Sequence, residues 1–238
     1  MLEMSWKNDQ VSENETKRIL ELARECLGVE GDFVEMGCYK GDTSLVLAEL
    51  LHRDVMFYQK MSHSSSVRAK KTLISPVENG VENHVDKVGK TCGKNVKRNG
   101  REKHLKRLWI YDSFEGLPEK NSADESVLGV DFKEGELFVT KREVKERFLR
   151  AGLPVPVIKK AWFCDLEAED LPEKIAFAFL DGDFYESIRD SLKLVGPKMS
   201  KDGLIIVHDY TNPALPGVKK AVDEWDRGRK KLCKLVLL

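Results

Sequence analysis

The stretch from residue 174 to residue 210, KIAFAFLDGDFYESIRDSLKLVGPKMSKDGLIIVHDY, decides the fold. Its pattern predicts a strand that ends at Asp181, a helix, and a second strand that ends at His208 and Asp209. Neighbouring strands of a parallel sheet lie about 4.8 Å apart, so these three side chains are predicted to emerge together at the carboxyl edge of the sheet. Open α/β sheets bind their ligands at that edge.

Acidic residues that follow strands can also serve as helix caps. Asp183 has Glu186 three residues later, which is the spacing of an N-cap and its capping box, so the pattern assigns Asp183 a structural role. Asp181 and Asp209 precede no predicted helix that they could cap. These two residues are therefore candidates for function.

Composition limits the classes of protein that the chain can belong to. Its 238 residues, 41% apolar and 34% charged, predict a single α/β domain, 1–238, with one sizeable core. Forty basic and forty acidic residues cancel, which gives no general attraction to nucleic acids or membranes.

The cysteine pattern and the N-terminus bear on location. The five cysteines form no CxxC pair and no metal-ligand pattern with histidine, as in a reduced protein. The start, MLEMSWKNDQ, lacks the apolar core of a signal peptide, and no apolar run approaches the length of a membrane span. We therefore expect a cytoplasmic protein with no membrane attachment.

The segment GDFVEMGCYKGDTSLVLAELL, 31–51, predicts a strand, a glycine-containing turn and a helix. Such a turn can hold a ligand because backbone N–H groups and the helix N-terminus face it. Glu35, Gly37 and Gly41 form E-x-G-x-x-x-G, which differs from the GxGxxG of dinucleotide sites and disfavours NAD. The form is typical of Rossmann-like S-adenosylmethionine-dependent methyltransferases, and a tight turn without a ligand is the alternative.

Residues 60–107 differ from the rest of the chain. They carry thirteen Lys or Arg against four acids and show little periodicity, which predicts a basic, flexible insertion. The absence of aromatic residues between Arg68 and Arg107 argues against stacking on nucleic-acid bases.

Two further strands are predicted to end at the same edge. The strand that ends at Asp112 places a carboxylate where it can accept hydrogen bonds from the ribose of an adenosine. A later strand, VIKKAWF, leads to Asp165, and residues 121–139 are predicted to form a loop over the site. With a last strand, KLCKLVLL, the chain has six predicted strands in a mostly parallel twisted sheet with helices on both faces.

The segments GDFVEMGCYKGDTS, YDSFEGLPE, LDGDFYESIRDSL, GLIIVHDY and PGVKKAVDEW together resemble the macrocin O-methyltransferase family. This resemblance implies a class I S-adenosylmethionine-dependent methyltransferase that transfers a methyl group to a hydroxyl of a small molecule, a sugar or phenol of a natural product. It also implies a magnesium ion held by acidic residues. Relative to the family, few residues precede the first motif, and no segment follows for a seventh, antiparallel strand.

The resemblance assigns roles to individual residues. Asp181 is implied as metal ligand and general base, with His208 and Asp209 as the other metal ligands. His208 replaces an acid of the family's DDY motif, which shifts the expected preference from magnesium towards manganese or zinc. The implied cofactor contacts, with the strand-end aspartates added, are Glu35, Gly37, Gly41, Ser44, Asp112, Ser113, Asp165 and Asp181.

Three functions remain open at this point. The first is a metal-assisted O-methyltransferase, the second a metal-independent methyltransferase with another acceptor, and the third a non-catalytic nucleotide- or RNA-binding domain. Cofactor binding separates the first two from the third, and metal dependence separates the first from the second. The sequence names neither the acceptor nor the oligomeric state, and a homodimer is an alternative to a monomer.

Overall fold

The structure is a computed structural model that describes residues 10–70, 96–98, 101–103, 105–129, 132–228 and 233–238. In the stretches 61–70, 96–98 and 101–103 it describes the backbone alone. The chain divides into two compact units, the first comprising Met1–His52 and Lys106–Leu238 and the second comprising Arg53–Leu105.

The first unit is built on a six-stranded sheet in which every strand pair is parallel, as predicted. In chain order its strands are β1 (Asp32–Met36), β4 (Leu108–Asp112), β5 (Val157–Lys160), β6 (Ile175–Leu180), β7 (Met199–Val207) and β8 (Lys234–Leu237). Across the sheet the order is β5-β4-β1-β6-β7-β8. Strand β1 lies between β4 and β6, and β1 and β6 are central and entirely buried.

Helices cover both faces of this sheet. They are α1 (Glu13–Glu25), α2 (Asp42–Lys70), α3 (Lys141–Arg150), α4 (Tyr185–Val195) and α5 (Pro216–Gly228). Buried apolar residues of α1, α2 and α3 share one core cluster with Phe33, Phe177 and Phe179 of the sheet. Those of α4 and α5 share the other cluster with Met36 and Leu180. Alternate residues of one strand thus serve opposite cores, as the strand repeat requires.

The predicted capping boxes of α1 and α3 are both present. Ser12 and Glu15 bond reciprocally at the start of α1, and Thr140 and Glu143 do the same at the start of α3. Each box satisfies N–H groups that have no partner within the helix.

The capping role predicted for Asp183 is wrong. Helix α4 begins at Tyr185 with Phe184 at the N-cap, and Asp183 lies one residue further out with φ of 60°. The first N–H of the helix, that of Tyr185, instead donates to Asp124 Oδ1 at 2.7 Å. Asp124 is only 1% exposed and comes from the short 3-10 turn Ser122–Asp124.

The predicted strand VIKKAWF is shorter than expected. It ends at Lys160, and the chain then forms a 3-10 turn, Phe163–Asp165. Asp165 is consequently exposed and does not extend the row of strand-end aspartates.

The second unit contains the C-terminal part of α2 and a hairpin of β2 (Val96–Arg98) and β3 (Arg101–Lys103). Helix α2 therefore continues to Lys70, into the predicted insertion at 60–107, and most of that insertion lies outside the described residues. Of the helices that the structure describes, none is long and apolar enough to cross a membrane.

Candidate active site

Three neighbouring strands end level with one another at the centre of the sheet. Met36 of β1, Leu180 of β6 and Val207 of β7 share one register line. The next residue of each strand keeps the ladder, since Asp181 N–H donates to Met36 O at 2.9 Å and His208 N–H donates to Leu180 O at 3.0 Å. Asp181 and His208 therefore emerge side by side, as the sequence predicts.

His208 lies between two carboxylates. Its Nδ1 is 3.1 Å from Asp181 Oδ1 and 2.9 Å from Asp209 Oδ2, and the side chain is 6% exposed. Burial alone would lower the pKa of His208, but the two carboxylates outweigh it and raise the pKa to about 11. His208 in turn helps hold the pKa of Asp209 below its ordinary value, against the opposing effect of burial.

A turn of the backbone brings Asp209 to the same side as His208. Consecutive residues of a strand point to opposite faces, but Asp209 lies beyond β7 with φ of 60°, which ends that alternation. Asn212 Nδ2 donates to Asp209 Oδ1 at 2.8 Å and fixes the carboxylate. Both residues after β7 thus join Asp181.

The turn after β1 packs directly on the end of β6. Gly37 has φ of 86°, and a Cβ at this position would lie 2.0 Å from the carbonyl oxygen of Asp181. Only glycine allows the two backbones to approach this closely. Gly37 therefore sets the position of Asp181.

Behind this turn, Glu35 is buried and accepts a short hydrogen bond from Ser44 Oγ. Burial raises the pKa of Glu35 well above its ordinary value, Ser44 opposes the rise, and the charges of Asp181 and Asp112 add to it. Gly41 stands just before α2, where its N–H donates to Cys38 O at 2.6 Å.

Asp112, at the end of β4, binds the backbone of two turns at once. Its Oδ2 accepts from Cys38 N–H at 2.8 Å and Tyr39 N–H at 3.3 Å, and its Oδ1 accepts from Phe114 N–H at 2.7 Å. Ser113 uses its hydroxyl within its own turn, donating to Gly116 O at 3.1 Å. The Asp112 carboxylate is thus held in place beside the glycine turn.

These elements surround a cavity of about 200 Å³. Of the predicted site residues, its lining contains Glu35, Gly37, Asp112, Ser113, Asp181, His208 and Asp209. Aromatic side chains Tyr39, Phe132, Trp162 and Phe163 complete much of the wall, and Phe132 and Leu137 come from the predicted covering loop. Three predicted site residues are not part of the lining. Gly41 and Ser44 lie behind the turn, and Asp165 is exposed.

Asp183 is a candidate functional residue that the sequence analysis missed, because its spacing from Glu186 indicated a helix cap. Its carboxyl lines the cavity, and among the described residues no hydrogen bond holds that carboxyl. Burial, followed by the charges of Asp181 and Asp209, raises the pKa of Asp183 well above its ordinary value. A carboxyl group with a raised pKa in a cavity has the properties of a general base or acid.

Asp181, His208 and Asp209 also have the composition of a metal site. One ligand atom from each lies within 4.8 Å of the others. Two carboxylate oxygens and an imidazole nitrogen suit a divalent ion that accepts nitrogen, such as manganese or zinc, better than they suit magnesium. Because a metal ion binds only a deprotonated imidazole nitrogen, binding through Nδ1 would depend on pH.

Comparison with known proteins places this site in a family. Residues 95–235, more than half of the chain, match the macrocin-O-methyltransferase (TylF) family, and the chain belongs to that family of S-adenosylmethionine-dependent O-methyltransferases. The match includes Asp112, Asp181, His208 and Asp209, and the glycine turn at 35–41 precedes it.

Two curated relatives illustrate the family. The chain is 33% identical over 129 residues to 8-demethyl-8-(2,3-dimethoxy-alpha-L-rhamnosyl)-tetracenomycin-C 4'-O-methyltransferase of Streptomyces olivaceus, covering 52% of this chain and 48% of the relative. It is 32% identical over 123 residues to demethyldecarbamoylnovobiocin O-methyltransferase of Streptomyces niveus, covering 50% and 46%. The chain thus spans about half the length of the curated relatives it matches.

Solved structures agree on the fold. The O-methyltransferase NovP aligns with a TM-score of 0.60 at 24% identity, covering 89% of this chain and 70% of that one. The calicheamicin methyltransferase CalS11 aligns with a TM-score of 0.54 at 18% identity, covering 90% and 72%. Both confirm the predicted Rossmann-like methyltransferase fold.

Proposed function

We propose that this chain is an S-adenosylmethionine-dependent O-methyltransferase whose acceptor is a sugar hydroxyl of a natural product. Membership of the macrocin-O-methyltransferase family carries the proposal, because the matched residues include four aspartates that line the cavity, Asp112, Asp181, Asp183 and Asp209. The sugar acceptor is suggested by the relative from Streptomyces olivaceus, whose name specifies a rhamnosyl group and 4'-O-methylation.

The glycine turn and the end of β4 are proposed to hold the cofactor. Asp112 would accept a hydrogen bond from the ribose through Oδ1, which retains one lone pair beyond the one that Phe114 N–H uses, whereas Oδ2 already accepts from two backbone N–H groups. Glu35, Gly37 and Ser113 line the same cavity. When bound, S-adenosylmethionine supplies an electrophilic methyl group on its sulfonium.

An acceptor hydroxyl has to lose its proton as it attacks that methyl group. Asp181 was predicted as the base, and its Oδ1 is bonded to His208. Among the described residues no hydrogen bond holds the Asp183 carboxyl, which lines the same cavity, and its raised pKa makes it a stronger base than an ordinary aspartate. We therefore assign proton removal to Asp183 and assign Asp181 to binding His208 or a divalent ion.

Asp181, His208 and Asp209 would hold that ion, proposed to be manganese or zinc, with magnesium less suited to the nitrogen ligand. A divalent ion would lower the pKa of an acceptor hydroxyl. The alternative is a metal-independent enzyme, which is favoured by one observation: His208 Nδ1 already bonds both carboxylates.

The whole chain is proposed to act as one methyltransferase domain with residues 60–107 as an insertion. The second compact unit, Arg53–Leu105, supports this division because it comprises nearly the same residues. The cytoplasmic location expected from the sequence stays a prediction. A homodimer and the lack of a nucleic-acid partner stay predictions.

Calorimetry with S-adenosylmethionine and S-adenosylhomocysteine tests the cofactor. We expect micromolar affinity for both, and the absence of heat and of thermal stabilisation with either ligand would remove the proposed function. Turnover with and without EDTA then separates the metal-assisted enzyme from the metal-independent one. Under the metal-assisted mechanism, Asp181→Asn should abolish turnover and leave cofactor binding unchanged, and His208→Asp should increase the activity supported by magnesium.

A further inference from the structure

The capping box of α1 has a second neighbour that the capping function does not require. Glu15 Oε2 accepts from Ser12 N–H at 2.9 Å and from Ser12 Oγ at 2.6 Å. The other oxygen, Oε1, lies 3.7 Å from His208 Nε2. One carboxylate thus caps a helix and faces a residue of the candidate active site.

The two nitrogens of His208 therefore have carboxylates on opposite sides of the ring. Nδ1 faces Asp181 and Asp209, and Nε2 faces Glu15. The ring is nearly buried, and Phe179 packs near it with ring centroids 6.0 Å apart. Rotation of the ring by half a turn about its Cβ–Cγ bond would break the contacts of Nδ1 with both aspartates.

We propose that Glu15 is a positioning residue for His208, which keeps a proton on Nε2 and directs Nδ1 towards Asp181 and Asp209. This inference rests on the proposed function. A neutral imidazole can bind an ion through Nδ1 only when its proton is on Nε2, and a carboxylate opposite the ligating nitrogen selects that tautomer.

The chain offers a closely matched control for the capping role. In α3, Glu143 Oε2 accepts from Thr140 N–H at 2.8 Å and from Thr140 Oγ1 at 2.6 Å, nearly the same distances as in α1. Glu143 is exposed, and no histidine is among its contacts in the described part of the chain. Glu15→Gln and Glu143→Gln therefore remove the same charge from the same kind of cap, and only the first alters the partner of His208.

The test is calorimetric titration of the full chain with Mn²⁺ alone, for the wild type and both variants. We expect Glu15→Gln to weaken Mn²⁺ binding by about 10-fold or more, in the range found for partners of metal ligands. Glu143→Gln should bind Mn²⁺ within twofold of the wild type and lower the melting temperature by about as much as Glu15→Gln does.

Three results would overturn the proposal: Mn²⁺ affinity of Glu15→Gln within twofold of the wild type, an equal loss in Glu143→Gln, or no Mn²⁺ binding by the wild type. S-adenosylmethionine binding measured on the same samples separates these failures from failure of the proposed function. A wild type that binds the cofactor and no Mn²⁺ would remain a methyltransferase in which Glu15 does not position a metal ligand.

Discussion

The close contact between the turn after β1 and the end of β6 makes Gly37→Ala a severe substitution. With φ of 86°, an L-residue at position 37 incurs about 1–2 kcal/mol of backbone strain. The new Cβ would also lie 2.0 Å from the Asp181 carbonyl oxygen, which is backbone and cannot rotate away. Overpacking of this kind costs about 1–3 kcal/mol, so we expect a total loss of about 2–5 kcal/mol.

Gly152→Ala is the matched control because Gly152 has φ of 65° and no atom within 4 Å of the added Cβ. It should lose only the strain of about 1–2 kcal/mol. Urea unfolding followed by far-UV circular dichroism gives both free energies. If the two variants are destabilised to the same extent, the proposed contact between Gly37 and Asp181 is wrong. Gly37→Ala should also reduce turnover, because the Asp181 backbone has to move.

Three further predictions concern single carboxylates. Asp112→Ala should weaken S-adenosylmethionine binding by about 1–3 kcal/mol in calorimetry, the loss expected for an unpaired buried polar group, and unchanged affinity would place the ribose elsewhere. Asp183→Asn should lower turnover by at least about 100-fold while cofactor affinity stays the same, and an active Asp183→Asn would return the base role to Asp181. Asp124→Asn keeps an acceptor for Tyr185 N–H but removes a carboxyl group whose pKa is raised by burial. Because the folded state favours the protonated carboxyl, Asp124 contributes most to the free energy of unfolding at low pH, and that contribution is lost as the pH rises through the raised pKa. Unfolding free energies of the two proteins should therefore shift in favour of the asparagine variant between acidic and neutral pH, and a pH-independent difference would contradict the raised pKa.

Local patterns predicted the parts of this molecule that depend on nearby residues. The Ser12–Glu15 and Thr140–Glu143 boxes are complete within four residues, so the sequence alone locates the starts of α1 and α3. Continuous apolar runs likewise predicted the buried parallel strands and, with them, the meeting of Asp181 and His208.

The features that the sequence did not predict depend on contacts between distant segments. Asp124 caps α4 from 61 positions away, and that long-range bond leaves Asp183 free to line the cavity. The pattern D-x-x-E at Asp183 is a valid capping signal, but the left-handed backbone at that residue overrides it. The sequence also could not predict the contact of Glu15 with His208, because the capping box already explains a glutamate at position 15.

The three backbone N–H groups that hold Asp112 affect how a ligand would bind as well as where. A carboxylate on a free side chain loses rotational freedom when a ligand orders it, at about 0.5–1.5 kcal/mol for an adaptable side chain. Asp112 has lost that freedom already, to Cys38, Tyr39 and Phe114, before any ribose arrives. Association at this residue should therefore resemble the docking of a rigid surface, with little rearrangement of the turn after β1.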